Sequence, residues 1–136
     1  MYDELIAGRV YFGGADDAES AVCEKGIEKV IDLRVNGRED KVDYSYHHKP
    51  IADESSHIPQ SIQAGVKEVI NAYEAGENVY FHCGSGNGRA SVMAVATLME
   101  LKLAESLEEA EGMVKEARPS VNIRPNMREA LEHLYK

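Results

Sequence analysis

The chain has 136 residues, 43% hydrophobic and 29% charged, with a formal net charge of −9 and a pI near 5.0. This length suits one domain with a real core and is too short for two independent ones, so residues 1–136 are read as a single domain. The acidic excess disfavours nucleic acid and anionic membranes as partners. No run of about 18 or more apolar residues is there to cross a bilayer, and the start "MYDELIAGRV" lacks the features of a secretory signal, which makes the cytoplasm the expected compartment.

In chain order, "RVYFGG" (9–14) predicts a strand ended by glycines. "DDAESAVCEKG" (16–26) predicts a helix with Asp16 as cap, Glu19 three residues on and Gly26 as stop; Cys23 falls on its apolar side and is expected to pack. "IEKVIDLR" (27–34) is apolar through its middle, as an interior strand covered on both faces requires. A polar loop precedes a third strand in "YSYHHKPI" (44–51), and "ADESSHIP" (52–59) is a loop. Between Gln60 and Ala75, apolar Ile62, Val66, Val69, Ile70 and Tyr73 recur at helical steps until Gly76. "NVYFHC" (78–83) is a fourth strand, and "RASVMAVATLMELK" (89–102) is a helix apolar around most of its circumference, hence buried. Ser106 with Glu109, and Asn126 with Glu129, resemble capping boxes for the last two helices. The alternation predicts an α/β fold: a central, mostly parallel sheet of four to five strands with helices on both faces.

The chemistry concentrates in "HCGSGNGRAS" (82–91). A glycine-rich turn between a strand and a buried helix gathers free N–H groups at the positive end of the helix dipole, which favours a bound anion. Gly84, Gly86 and Gly88 give the backbone the freedom to curl around a tetrahedral group. Cys83 faces that ring as a potential nucleophile, and Arg89 offers two parallel donors to phosphate oxygens. There is no Walker lysine, and the glycine spacing is not that of a dinucleotide fingerprint.

His82, Cys83, five residues and Arg89 resemble the signature of the cysteine-based protein tyrosine phosphatases, and the compact chain is similar to their dual-specificity branch. "GRVYFGGADDAES", "GIEKVIDLR" and "ARPSVNIRPN" extend the resemblance over most of the sequence. It implies Cys83 as nucleophile, Gly84, Ser85, Gly86, Asn87, Gly88 and Arg89 as phosphate-binding loop, and His82 as a supporting residue beside the thiol. Asp53, in "KPIADESSHIP", resembles the family's general acid; Glu54 is the alternative. Asn126 is expected to cap the last helix and brace the loop. Where the family usually has Ser or Thr after the arginine, this chain has Ala90, and Ser91 lies about 100° further around the helix; slow hydrolysis of a phosphocysteine is the expected consequence.

Arg118, Arg124 and Arg128 cluster near the end and leave a local positive face open. His47 and His48 point to opposite faces of a strand and no Cys/His spacing matches zinc, so no metal is expected, and no organic cofactor. The expected partner is a phosphorylated protein or peptide, phosphotyrosine favoured over phosphoserine and phosphothreonine. The alternatives are a phosphoester-binding module that has lost turnover, or a thiol enzyme of the sulfurtransferase or arsenate reductase type. Oligomeric state is not legible.

Overall fold

A computed structural model describes residues 1–136. Five strands, β1 (Tyr2–Ile6), β2 (Val10–Gly14), β3 (Lys29–Asp32), β4 (Tyr46–His48) and β5 (Val79–Cys83), form one sheet in the order β1-β2-β5-β3-β4. All pairings are parallel except β1 with β2. Helices α1 (Ala18–Lys25), α2 (Ile58–Glu74), α3 (Arg89–Glu100), α4 (Leu107–Ala117) and α5 (Pro125–Tyr135) cover the two faces. None is long and apolar enough to cross a membrane.

The pleat of β5 sorts its side chains between two cores. Val79, Phe81 and Cys83 join the larger cluster with residues of α2 to α5, whereas Tyr80 joins Tyr11, Val30 and Ala21 under α1. The mostly parallel sheet, covered on both sides, agrees with the architecture expected from the sequence. Gly65 lets α2 approach α3, since a Cβ there would lie 2.6 Å from the Met93 methyl.

Three local expectations are corrected. Residues Ala15–Asp17 form a 3-10 turn, so Asp17 rather than Asp16 precedes α1; it makes no side-chain cap, its carboxylate being paired with the amino group of Met1. Cys23 is exposed, because α1 buries only the narrow stripe of Ala18 and Ala21 and Cys23 lies off it. α5 starts at Pro125, which places Arg124 at the N-cap and Asn126 inside the first turn, where it caps nothing. By contrast, Ser106 does cap α4, accepting from the Glu109 N–H at 3.1 Å, and Gly26 ends α1 with φ +61°.

Candidate active site

β5 ends at Cys83, which is 5% exposed at the floor of a cleft of about 300 Å³. Glycines fix how the following loop lies. Gly86 has φ +85°, and a Cβ on it would sit 2.5 Å from the carbonyl carbon of Gly13, so the loop rests directly on the end of β2. Ala15 N–H ties it there by donating to the Gly84 carbonyl at 3.1 Å.

Accounting for the loop's backbone groups reveals its polarity. The carbonyls are engaged on the outside: Ser85 accepts from Arg118 at 2.8 Å, Asn87 from the Asn122 N–H at 2.6 Å, and Gly88 from the Ser91 N–H at 3.0 Å. The amides are not. Gly86 and Ala90 direct theirs at Cys83 Sγ, at 3.2 and 3.4 Å, while those of Gly84, Ser85, Gly88 and Arg89 have no acceptor in the protein. Converging N–H dipoles stabilise negative charge on the sulfur and on any oxyanion set against it.

Arg89 lines the same cleft. Its Nε donates to the Ile51 carbonyl at 2.8 Å and one Nη is paired with Asp53 Oδ1, which leaves the other guanidinium N–H groups free. The cysteine, the arginine and the acidic loop residue are therefore gathered at one place, although Asp53 and Cys83 are 30 positions apart in the sequence. Glu54 is exposed beside them and pairs with His57 at 3.5 Å.

Ser91 does not replace the hydroxyl missing at Ala90. Its Oγ donates to the carbonyls of Gly88 at 2.6 Å and Asn87 at 3.1 Å, and no hydrogen bond links it to Cys83.

Behind the cysteine, His82 is fully buried on the α1 side of the sheet, its ring tilted against that of Tyr80. Nδ1 donates to the Cys83 carbonyl at 3.2 Å and stands 3.8 Å from the carboxylate of Asp32, while Nε2 has no partner. Asp32 is buried against its charge, yet hydrogen bonds from Arg34 and Tyr46 together hold its carboxyl below the usual range. Desolvation pushes the His82 imidazole down, outweighing the pull of Asp32. A depressed histidine means that the unfolded chain binds the extra proton first, so stability is lost as pH falls below the unfolded value of about 6.5. We expect the unfolding free energy to decline as pH falls through about 6.5, with a slope of at most about 1.4 kcal/mol per pH unit from this group. His82→Gln should flatten that slope whatever it does to absolute stability; parallel slopes for the two proteins would exclude the buried imidazole as the cause. Asp32 contributes in a different window, its stabilisation being lost only below pH ~4.

Asn126 makes no hydrogen bond to the loop. The brace is built from residues that the sequence does not single out for it. Arg118, 13% exposed at its side chain, joins Asn87 Oδ1 at 3.0 Å and Ser85 O at 2.8 Å to Asp3 on β1 at 2.8 Å, and Ser120 Oγ adds a bond of 2.7 Å to Asn87 Oδ1. No local pattern announces these contacts, which join positions more than 30 residues apart.

The chain is thus a mostly parallel α/β sheet that presents a cysteine on a loop with free amides between its central strand and a buried helix. Within that class, the family model of the dual specificity phosphatase catalytic domain matches residues 10–136, and the chain belongs to this family. Solved structures share the fold at low identity. Human DUSP28 superposes with a TM-score of 0.81 at 19% identity, covering 98% of this chain and 92% of that one. A mouse putative dual specificity phosphatase gives 0.85 at 18%, with coverages of 98% and 86%. Tk-PTP gives 0.82 at 22%, with coverages of 98% and 95%. No functionally curated protein shows significant sequence similarity to the chain.

Proposed function

We propose that the protein hydrolyses phosphate monoesters, phosphotyrosine in peptides or proteins above all, through a cysteinyl-phosphate intermediate. The observation that carries this reading is the pair of N–H groups directed at Cys83 Sγ within a loop where the amides of Gly84, Ser85, Gly88 and Arg89 are unpaired. Such a loop holds a phosphoryl group by its equatorial oxygens and presents phosphorus to the sulfur in line. The S–P bond forms as the ester P–O bond breaks, and the leaving oxygen takes a proton from Asp53. Water then attacks phosphorus, gives its proton to Asp53, and releases inorganic phosphate and the thiolate. No step calls on a metal or an organic cofactor.

In the ligand-free protein Asp53 holds one Nη of Arg89, so a phosphate that takes both Nη groups exchanges places with a carboxylate there. The exchange also frees Asp53 for proton transfer. The second step lacks help, because Ala90 offers the departing thiolate only its backbone N–H and Ser91 is bonded elsewhere. Ala90→Ser should therefore shorten the lifetime of the phosphoenzyme by about tenfold, the scale of one hydrogen bond to a charged group. Rapid-quench trapping of the covalent species in the two proteins measures this directly. Equal lifetimes would show that the residue after the arginine does not govern the second step.

The same two features favour, as a second reading, a phosphoester-binding module that grips without turning over. It differs in one result: it binds phosphopeptide and releases no phosphate.

A further inference from the structure

Among the Asp, Glu, Lys, Arg and His side chains, only Asp32 and His82 are fully buried. Removing a carboxylate and an imidazole from water is costly unless both are well partnered, and no step of the proposed reaction uses either. They are register partners. Asp32 at the end of β3 lies beside His82 on β5, two residues beyond the pair Val30 and Tyr80, so both side chains point to the α1 face. Asp32 Oδ1 accepts from the Arg34 backbone N–H and Nε, both at 3.0 Å, and Oδ2 from Arg34 Nη2 at 2.8 Å and the Tyr46 hydroxyl at 2.5 Å. Those bonds use the carboxylate's acceptor sites, so it meets His82 Nδ1 at 3.8 Å as a charge rather than as a hydrogen-bond partner.

The imidazole has two neutral tautomers. Nδ1 lies between two acceptors, the Cys83 carbonyl at 3.2 Å and the Asp32 carboxylate, so a bare Nδ1 would set its lone pair against both. Nε2 has no partner that favours either state. Desolvation keeps the ring neutral, and of the charges around it Asp32 acts most strongly, ahead of Arg34 and Arg38. Tyr80 packs against the ring from β5, and α1 buries only Ala18 and Ala21 on this side. The position of the proton therefore depends on Asp32 and the Cys83 carbonyl.

That proton decides where the next peptide points. The chain has no cis peptide bond, so the Cys83 carbonyl and the Gly84 N–H lie on opposite sides of their shared plane. With the carbonyl drawn to the imidazole, the Gly84 amide turns toward the cleft, where it has no acceptor in the protein. Gly84 lacks the Cβ that restricts such a peptide in other residues, and no neighbour lies within 4 Å of where a Cβ would stand. We propose that Asp32 is a positioning residue of the phosphate loop: its charge keeps the His82 proton on Nδ1, and that N–H pins the Cys83–Gly84 peptide with the Gly84 amide aimed at the bound oxyanion. The inference deepens the phosphatase reading and rests on it for the identity of the oxyanion.

The test titrates inorganic phosphate into the isotopically labelled full chain at about pH 7, where the unperturbed imidazole is already mostly neutral. Nuclear magnetic resonance follows the Gly84 amide and reads the tautomer from the His82 ring nitrogens. The natural protein should show a protonated Nδ1, a bare Nε2 and a Gly84 amide that shifts downfield as phosphate binds. Asp32→Asn should admit the Nε2–H tautomer and weaken phosphate binding about tenfold, the scale of one hydrogen bond to a charged group. His82→Asn places an amide N–H where Nδ1 stood, with no tautomer to choose. In that background Asp32→Asn should change phosphate affinity by less than about twofold, whereas damage to the fold at large would lower it in both. A natural imidazole protonated at Nε2, or a Gly84 amide that phosphate does not move, overturns the proposal, and neither observation needs a variant to fold. So does an unaltered phosphate affinity in Asp32→Asn, or an equal loss in the two backgrounds. Phosphate that binds at Gly84 in a protein that releases nothing from p-nitrophenyl phosphate counts against the phosphatase reading alone.

Discussion

Cys83→Ser should abolish hydrolysis of p-nitrophenyl phosphate, by at least about 10⁴-fold in kcat, while leaving phosphopeptide binding measurable. Cys83 is almost completely enclosed and its Sγ receives two N–H bonds, which aim it into the loop. A serine hydroxyl of similar size does not ionise there to a useful extent, and no histidine or carboxylate lies against Sγ to take its proton; the neighbouring imidazole, His82, is bonded to the Cys83 carbonyl on the other side of the sheet. The loop amides and Arg89 are untouched by the change. Steady-state kinetics beside a binding isotherm separate loss of chemistry from loss of the site, and a variant retaining about a tenth of the activity would require a different nucleophile.

Asp53→Asn should lower kcat by about 10² to 10⁴, the usual worth of a positioned acid or base, and the loss should be greater for phenyl phosphate than for its nitro derivative. The amide cannot protonate a poor leaving group. The expected change in KM has the opposite sense from a simple loss of contact: a neutral amide no longer competes as an anion for the Arg89 guanidinium, so KM should stay level or fall. A rise in KM at unchanged kcat would assign Asp53 to substrate holding and leave proton transfer to Glu54.

What the sequence makes legible is local. The strand, glycine loop and helix between Asn78 and Glu100 are contiguous, and their polarity follows from apolar content and glycine spacing. The helix face of Ile62, Val66 and Val69 and the Ser106 cap are likewise determined by neighbours three or four positions away. Strand β1 escapes such a reading because Tyr2–Ile6 is a half-exposed edge strand without a buried apolar face, held by pairing with β2. Cys23 is placed wrongly by pattern because α1 buries alanines, and a helix of eight residues carries too weak a periodicity to fix its rotation. For the site, the family resemblance leads to Asp53, but its bond to Arg89 is a tertiary fact. The brace of Arg118, Asn87, Ser120 and Asp3 is out of reach for the same reason, and Pro125, which starts α5 one residue before Asn126, displaces the cap expected of the asparagine.

Covalent phosphorylation of Cys83, with dephosphorylation of the sulfur limiting turnover, is the central claim. Stopped-flow recording of nitrophenolate release, with p-nitrophenyl phosphate saturating and enzyme concentrated enough for one turnover to be visible, tests it most directly. The expected trace is a burst stoichiometric with active sites, then a slower steady phase, both absent in Cys83→Ser. Release that persists in Cys83→Ser, or no release from either protein between about pH 5 and 8, would contradict it.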